Sequence, residues 1–453
     1  MAVPKRPQIT MPGEPCLENV ANIDRGVIPF TRACQNNGMV LNREHLWELS
    51  EYLDKEIARL GREITEHIPQ SMLDEFTQAS LAIDDLNLDS PDQIAALLFR
   101  HLRVGQGVEL EMTPGGDRIS TGKKQLERIK KDHPVIPLIL QRREYTKLQN
   151  TYCDTLPNEA IYVPSIDRWK FYYNIGLTFT STGRMTVSRV HQIPIRTELG
   201  RKIRQAFEPE PGMVFISADY AGLELRILAH CAQERNMIRI FRDPKGDIHQ
   251  ETVDGLNMPP TLDATAQRLA AKRVNFGIVY GTTDLGLWLT LQSDGVPCTR
   301  EQCAGFQLGF FATYPDVAPY ISRMHYRARR YGFAYNIFGR VSPAPEFRSV
   351  HKRIVREGER RIQNYVIQST ATDVFKIGAA EVYDFCLEVQ DGLFGKPMRC
   401  EPLLPFHDQI LLQCDKSIAV ECAEAIGQIM GSCVQLRIPL KVDHPIQEGH
   451  WKK

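Results

Sequence analysis

The arrangement of hydrophobic positions along the chain predicts both helices and strands. In residues 42–68 they recur about every 3.6 positions, which predicts a long amphipathic helix. Residues 213–230 start with an apolar run typical of a buried strand and then change to a helical period. In residues 404–414 two apolar runs flank His407 and Asp408, which predicts a β-hairpin with a tight turn at this pair.

Carboxylates stand at the ends of two of these predicted strands. Asp219 ends the first, and Asp408 lies in the turn of the hairpin. A buried carboxylate is costly unless its charge is offset, although Asp219 taken alone could simply cap the following helix. Two carboxylates from separate strands, with backbone oxygens nearby, suit Mg²⁺, and a pair of such ions serves phosphoryl displacement. Gln409 stands where a second acid is expected, so the turn could be a working site or a remnant.

Residues 267–281 carry a second candidate for phosphate chemistry. Four side chains recur there at every fourth position: Arg268, Lys272, Phe276 and Tyr280. Each such step advances about 400° around a helix, so all four line one face. Two cations suit a triphosphate, and two rings suit a sugar and a base. An amphipathic helix with a buried aromatic end has the same pattern. Upstream, His249 is another candidate phosphate donor, although a single histidine is more often structural.

Length and charge change this picture in two respects. At 453 residues the chain is too long for one ordinary core, which indicates two or three subdomains. With 55 basic and 55 acidic residues, only local patches can argue for a polyanionic partner. Residues 118–147 hold nine Lys or Arg against three acids, and residues 340–361 hold seven against three. Such a run could bind phosphates or could be only a solvated helix face.

Cysteine usage and hydropathy indicate the compartment. Eleven cysteines are present without a C-x-x-C pair, which is typical of reduced thiols in a cytosolic protein. No apolar run has the length of a signal peptide or a membrane span. We therefore expect a cytoplasmic protein, in a bacterial cell or a phage-infected host with an organelle as the alternative, and no contact with a membrane.

Several stretches resemble, in order, the motifs of family A DNA polymerases, the DNA polymerase I family. They are "TFTSTGRMTV" with "HQIPIRTELGRKIRQAF", then "ADYAGLELRILAH", "RLAAKRVNFGIVYG" and "FHDQILL". The segments "GDIH", "FGR", "RRIQNYVIQSTATD" and "LKVDHPIQEGHW" are also similar. Any one of these motifs would be weak, but independent motifs in one order are specific.

The resemblance implies an α+β fold of several subdomains, arranged as a right hand with an antiparallel-sheet palm, helical fingers and a helical thumb. The implied segments are an N-terminal segment packing on the palm (1–38), the thumb (39–150), the first part of the palm (151–230), the fingers (231–375) and the second part of the palm (376–453). Because the thumb-like part begins almost at the N-terminus, we expect neither a proofreading nor a 5′-nuclease domain.

The same resemblance implies roles for individual residues. Asp219 and Asp408 would be catalytic and would bind two Mg²⁺ ions together with Tyr220, with Mn²⁺ as a substitute. The residues implied for the incoming dNTP are Glu224, His249, Arg268, Lys272, Phe276 and Tyr280. Among them, Glu224 would crowd the 2′ position and so exclude ribonucleotides.

Five more residues would contact the primer-template: Arg184, Arg360, Asn364, Gln368 and His407. The minor groove offers acceptors common to all base pairs, so such side chains can check geometry without choosing sequence. The two basic patches would hold duplex phosphates. Gly222 and Gln409 depart from the family pattern, which usually has Gln and Glu there, and we expect both to modulate the site.

The function expected from these residues is template-directed extension of a primer 3′ end with dNTPs by two-metal-ion nucleotidyl transfer, in replication or repair. We expect a monomer without proofreading, with a separate exonuclease, helicase or primase as partner. Two alternatives stay open. Gln409 supports a catalytically impaired protein that binds primer-template in replication. A single-subunit RNA polymerase shares the palm, but Glu224 and the lack of a large promoter-binding region argue against it.

Overall fold

The computed structural model describes residues 9–78, 86–108, 110–113, 115–116, 118–195 and 197–452. Residues 1–8 of the predicted N-terminal segment and 79–85 of the predicted thumb lie outside this range. The helices are α1 (Leu17–Gly26), α2 (Ile28–Asn37), α3 (Arg43–Thr65), α4 (Gln70–Gln78), α5 (Pro91–Ala95), α6 (Lys123–Arg128), α7 (Val135–Leu148), α8 (Thr155–Glu159), α9 (Glu198–Gln205), α10 (Leu223–Ala232), α11 (Arg235–Arg242), α12 (Ile248–Gly255), α13 (Ala264–Val279), α14 (Asp284–Ser293), α15 (Arg300–Thr313), α16 (Val317–Tyr331), α17 (Lys352–Gln390) and α18 (Ala419–Ser432).

The strands are β1 (Met39–Leu41), β2 (Ile161–Val163), β3 (Arg168–Phe171), β4 (Ile175–Gly176), β5 (Thr186–Val187), β6 (Phe207–Glu208), β7 (Met213–Tyr220), β8 (Phe333–Tyr335), β9 (Val341–Pro343), β10 (Cys400–Phe406), β11 (Gln409–Asp415), β12 (Val442–Asp443) and β13 (Ile446–Gln447). Their pairings are antiparallel. The predicted α+β class with antiparallel sheets is therefore confirmed. Within the described ranges, none of the helices combines the length and the apolar character that crossing a membrane requires.

The first of two compact units comprises Met1–Met39, Tyr172–His191 and Pro209–Gly449. Its sheet has the strand order β10-β11-β7-β12, and β13 also pairs with β7. Residues 213–218 of β7 are all buried because helices pack on this sheet: α2 and α17 contact β10, while α18 contacts β7 and β11. The apolar run in the sequence thus forms the strand that the pattern predicts.

The predicted hairpin is also confirmed. β10 and β11 pair from Cys400 with Cys414 to Phe406 with Gln409, so His407 and Asp408 alone form the turn. His407 has a φ of 57°, the left-handed conformation that a two-residue turn needs.

Two helices predicted from periodicity are present, with adjusted ends. The helix predicted over 42–68 is α3, which starts after Asn42 because this side chain accepts a hydrogen bond from the His45 N–H (3.0 Å) and caps the helix. It ends at Thr65. Helix α13 is capped in the same way by Asp263 and ends at Val279.

A charge-balanced cluster links α1 to α17 within this unit. The Arg340 guanidinium donates to both carboxylate oxygens of Asp24 (2.7 and 3.1 Å) and to Asp373 (2.7 Å). The Lys376 ammonium, itself fully buried, donates to Asp24 (2.7 Å). Two acids and two bases therefore neutralise one another, and the Asn336 amide supplies a further hydrogen bond to Asp373 (2.6 Å).

The second compact unit comprises Val40–Phe171, Gln192–Glu208 and His450–Lys453. Its sheet has the order β2-β3-β1-β6, and its helices include α3, which packs against α7. The five-segment division predicted from the sequence stays a prediction. Two of its boundaries, 230/231 and 375/376, fall inside the continuous helices α10 and α17.

Candidate active site

The two candidate catalytic aspartates lie at adjoining ends of β7 and the β10–β11 hairpin. Asp219, the second-to-last residue of β7, is the direct partner of Gln409 in the antiparallel register. The Tyr220 N–H donates to the Asp408 backbone oxygen (3.2 Å), which holds the turn against the end of β7. The structure therefore brings Asp219 and Asp408 together from positions almost 190 residues apart.

The electrostatics of this corner are strongly negative. Burial raises the pKa of Asp408 to about 6, and the nearby carboxylates of Glu224 and Asp219 add to this effect, although Arg184 opposes it. Asp408 thus lies near two further carboxylates and one guanidinium. A carboxyl group with a raised pKa beside other carboxylates indicates a site where an added cation would be stabilising.

Tyr220 takes part in this corner through its backbone. Its phenol points away into the core, where it donates to the Met430 carbonyl (2.9 Å) and lies 3.3 Å from the Cys433 sulfur. Burial also raises the pKa of this phenol well above its ordinary value. The predicted metal role of Tyr220 is therefore compatible only with its backbone oxygen.

Glu224 is the hub of a polar chain on the first turn of α10. One carboxylate oxygen accepts from Arg184 (2.9 Å) and the other from the Tyr280 hydroxyl (2.8 Å). The side chain is 4% exposed, so these two bonds fix it. Burial and Glu224 together raise the pKa of Tyr280 above its ordinary value, which keeps the phenol a donor. Tyr280 itself is the residue that follows α13, not its last turn.

The other candidate nucleotide residues lie on α12 and α13. The His249 Nδ1 accepts from the Asn275 amide (2.9 Å), which leaves Nε2 as the protonated nitrogen of a neutral ring. Burial, aided by the charge of Lys272, lowers the pKa of His249 to about 4. Phe276 places its ring centroid 6.2 Å from that of His249.

The two cations of α13 differ in their partners. Arg268 forms an ion pair with Asp247 (2.7 Å), the residue that also caps α12. Lys272 is exposed and has no ion-pair partner in the part of the chain that the structure describes. Asp247, His249 and Arg268 line one wall of a cleft of about 800 Å³, which reaches Gly222 at the start of α10. A cleft of this size accommodates a ligand as large as a nucleotide.

The five predicted primer-template residues fall into two groups. Arg360, Asn364 and Gln368 are spaced four residues apart on α17 and form its accessible stripe where the neighbouring positions are mostly buried. The Asn364 side-chain oxygen is buried yet has no hydrogen-bond partner among the described residues. Arg184 and His407 line a separate cleft of about 200 Å³.

The two departures from the family pattern have local explanations. Gly222 has a φ of 65°, where glycine is favoured, although a Cβ there would meet nothing within 4 Å. Gln409 is 4% exposed and its amide donates to the Ser217 hydroxyl, which is also buried. Gln409 is thus a structural hydrogen-bond donor beside Asp219, where a glutamate would place two like charges directly opposite each other.

Several residues that contribute to this site were not predicted from the sequence. Asn275 fixes the tautomer of His249, Asp247 holds Arg268, and Ser217 accepts from Gln409. His191 stacks on His407 with ring centroids 5.4 Å apart and bonds to the Pro405 backbone oxygen (2.9 Å). The polar residue Asn275, inside the otherwise apolar stripe of α13, was the one signal available in the sequence.

The residues of this corner fit a divalent cation held jointly with a substrate. Among the described residues, no group of three or more His, Cys, Asp or Glu side chains could hold a metal ion alone. Asp219 and Asp408 supply hard oxygen donors and an excess of negative charge. Mg²⁺ is usually bound by one or two carboxylates plus phosphates and water, so two aspartates are an adequate protein contribution.

Comparison with known proteins defines the class. The model of DNA polymerase family A matches residues 43–453, and the chain belongs to this family. It is 32% identical over 429 residues to the thermostable DNA polymerase I of Thermus aquaticus, covering 94% of this chain and 47% of that protein. It is 35% identical over 366 residues to DNA polymerase I of Deinococcus radiodurans, covering 80% and 36%.

A solved structure has the same fold. The POL domain of Pol1 from M. smegmatis, in complex with DNA primer-template and dNTP, superimposes with a TM-score of 0.78 at 23% identity. The match covers 95% of this chain and 72% of that one. The chain spans about half or less of the length of the curated relatives described above.

Proposed function

We propose that the chain is a template-directed DNA polymerase that extends a primer 3′ end with dNTPs. The observation that carries this proposal is the meeting of Asp219 and Asp408 near the carboxylate of Glu224 and the guanidinium of Arg184. The corner continues through Glu224 and Tyr280 to the cationic helix α13. Membership in DNA polymerase family A supports the same reaction.

The incoming dNTP would bind along α12 and α13. Lys272 is available for a phosphate, and the neutral His249 offers its Nε2–H as a donor without a charge of its own. Arg268 would exchange Asp247 for a phosphate oxygen or share its donors between the two. Phe276 would lie against the sugar, and Tyr280 would stack near the template base.

Asp219, Asp408 and the backbone oxygen of Tyr220 would hold two Mg²⁺ ions, or Mn²⁺ in their place. When bound, such ions lower the pKa of the attacking primer hydroxyl and neutralise charge on the triphosphate. The aspartates fix the position of the reacting groups because one is held in the sheet and the other in a two-residue turn.

Selection of sugar and duplex would use the fixed side chains around this corner. Glu224, held from both sides by Arg184 and Tyr280, would exclude a 2′-hydroxyl because it cannot move aside. The stripe of α17 and the pair Arg184 and His407 would contact the minor groove and the terminal base pair. Phosphate contacts by the basic patches should make DNA binding fall steeply with salt.

The second candidate function is a catalytically impaired relative that binds primer-template. Gln409 is the residue that favours it. Its bond to Ser217 supports a structural role for this position, which removes most of the argument for inactivity. The lack of proofreading, the monomeric state, the cytoplasmic location and a separate exonuclease, helicase or primase remain further parts of the proposal.

Primer extension tests the proposal directly. A labelled primer-template is incubated with the protein, Mg²⁺ and either dNTPs or NTPs, with binding measured in parallel by fluorescence anisotropy. We expect extension with dNTPs only. Binding without extension would identify the impaired relative, and extension only with NTPs would identify an RNA polymerase. Release of nucleotides from a mismatched primer end checks the expected lack of proofreading.

A further inference from the structure

Three aromatic rings form a row that no part of the proposed polymerase site uses. Tyr331 ends α16, and Phe333 and Tyr335 are the two ends of β8. The ring centroids of Tyr331 and Phe333 are 6.2 Å apart, and those of Phe333 and Tyr335 are 6.5 Å apart. Alternate residues of a strand share a face, so Phe333 and Tyr335 point the same way. Tyr331 is 57% exposed.

Two arginines lie beside two of these rings. Arg323 and Arg327, one turn apart on α16, line a cleft of about 250 Å³ together with Phe333 and Tyr335. The described residues that line this cleft include no Asp or Glu. Neither arginine has an ion-pair partner among the described residues, and α16 itself contains no acidic residue.

This arrangement lacks an internal counter-charge. Like charges at positions i and i+4 of a helix repel each other, so Arg323 and Arg327 destabilise α16 unless an anion lies near them. The whole chain has equal numbers of acidic and basic residues, yet none of its acids serves this cleft within the described ranges. An anion that complements this surface would therefore have to come from another molecule.

The aromatic rings indicate which kind of anion would bind to this surface. Cations beside exposed rings are the combination by which proteins bind single-stranded nucleic acid, with phosphates on the cations and bases on the rings. The rings lie 6.2 and 6.5 Å apart and are tilted against each other by 36° and 45°, so they suit separate bases better than a continuous base stack. Bases must be unstacked to fit such a row, which favours a single strand over a duplex.

We propose that Tyr331, Phe333 and Tyr335, with Arg323 and Arg327, form a binding surface for single-stranded DNA outside the primer-template site. An acidic polypeptide would neutralise the arginines but would give the row of rings no planar partner. The proposal does not depend on the chain being an active polymerase.

Fluorescence anisotropy of a labelled oligo(dT) tests this surface on the whole chain. A saturating unlabelled primer-template occupies the proposed duplex site during the measurement. We expect Arg323→Glu with Arg327→Glu, and separately Tyr331→Leu with Tyr335→Leu, to weaken oligo(dT) binding at least about tenfold. The matched control is Lys396→Glu with Lys416→Glu, which changes the net charge equally on exposed lysines elsewhere and should leave binding unchanged.

Crosslinking of the unaltered protein keeps the test independent of variant folding. An oligonucleotide carrying 5-iododeoxyuridine should crosslink to Tyr331, Phe333 or Tyr335 on irradiation. Crosslinks confined to other residues would overturn the proposal, as would equal loss of binding in the lysine control. It also fails if a polyglutamate peptide displaces oligo(dT) while the two leucine substitutions have no effect, because an acidic polypeptide would then be the partner. Extension of a primer with a short template overhang should remain normal in the tyrosine variants.

Discussion

Two clusters of partly buried charges in the same compact unit are built differently. In one, Asp24 and Asp373 are matched by Arg340 and Lys376, and hydrogen bonds from the two bases hold the pKa of Asp24 below its ordinary value despite its burial. In the other, burial and the nearby carboxylates of Glu224 and Asp219 raise the pKa of Asp408 to about 6 against the opposing charge of Arg184. Burial also raises the pKa of Asp373 in the first cluster, although Arg340, Asn336 and Lys376 oppose it. The balanced cluster is neutralised by its own bases, whereas we propose that the unbalanced one binds a cation.

The largest expected effect is on catalysis in the unbalanced cluster. Asp219→Asn or Asp408→Asn should reduce primer extension by several orders of magnitude, because each removes a carboxylate needed to hold the metal ions. DNA binding should be nearly unchanged in anisotropy measurements. Asp391→Asn is the control, since Asp391 is an exposed carboxylate at the C-terminal cap of α17. Substantial turnover in either aspartate variant would refute the metal assignment.

The next effect concerns the stability of the balanced cluster. Arg340→Met should lower the free energy of unfolding by about 3–5 kcal/mol, because it leaves the buried carboxylate of Asp373 and the partly buried carboxylate of Asp24 with one lysine. Urea denaturation measures this loss. Arg235→Met is the control: Arg235 is 83% exposed in its pair with Asp316, so its loss should cost at most about 1 kcal/mol. Equal losses in both variants would show that the buried cluster contributes no more than a surface pair.

In the unbalanced cluster, removal of a charged side chain should stabilise the metal-free protein, whereas in the balanced cluster it should destabilise it. The pKa of Asp408 rises from 3.8 unfolded to about 6 folded, so the folded chain retains a proton in this window that the unfolded chain releases. Without metal, the free energy of unfolding should therefore fall as the pH rises from about 4 to about 6. At about 1.4 kcal/mol per pKa unit, Asp408→Asn should be more stable than the parent by roughly 2–3 kcal/mol at neutral pH.

Denaturation in a chelating buffer, repeated with Mg²⁺, measures this difference. Mg²⁺ should stabilise the parent and leave Asp408→Asn nearly unaffected. The two proteins should then have similar free energies of unfolding. The Asp391→Asn control should follow the parent across the pH range. A parent protein whose stability increases from pH 4 to pH 6 relative to Asp408→Asn would contradict the assignment of excess negative charge.

The smallest effect concerns Gln409. Gln409→Glu places a carboxylate directly opposite Asp219 and replaces the amide donor with an acceptor to which the Ser217 hydroxyl would have to donate, so without metal it should lower the free energy of unfolding by about 1 kcal/mol. Because the added charge increases the imbalance, Mg²⁺ should stabilise the variant more than the parent. Thermal melts with and without Mg²⁺ check this, with Gln428→Glu at an exposed position of α18 as a comparison. An identical Mg²⁺ response would show that position 409 does not sense the metal site.

The two clusters also differ in how far the sequence predicts them. Asp219 and Asp408 each follow a recognisable local pattern, a buried strand and a hairpin turn, so both elements could be predicted. The balanced cluster joins Asp24 to Arg340 and to Lys376, positions 316 and 352 residues apart, and no local pattern connects them. The same holds for Ser217 beneath Gln409, because a hydrogen-bond partner on another strand is fixed only by the register.

The ends of helices also could not be predicted from the sequence. The spacing of Phe276 and Tyr280 fits one helical face. However, α13 ends at Val279, so Phe276 lies in the helix and Tyr280 lies just after it. Tyr280 then turns to Glu224. Periodicity identifies the helix, whereas the residue at which it stops depends on partners that periodicity does not contain.

The proposed duplex contact of the stripe on α17 (Arg360, Asn364 and Gln368) would also affect synthesis after a wrong nucleotide has been incorporated. Arg360 and Gln368 are eight positions apart, a length of about 12 Å at 1.5 Å per residue. At about 3.4 Å per nucleotide this length corresponds to three or four base pairs. Residues 369–380, which follow the stripe on α17, are all buried and hold this part of the helix in place. If the proposed duplex contact holds, a mispaired duplex would fit the fixed spacing of these side chains poorly, and the mispair should slow synthesis for several cycles after it has formed.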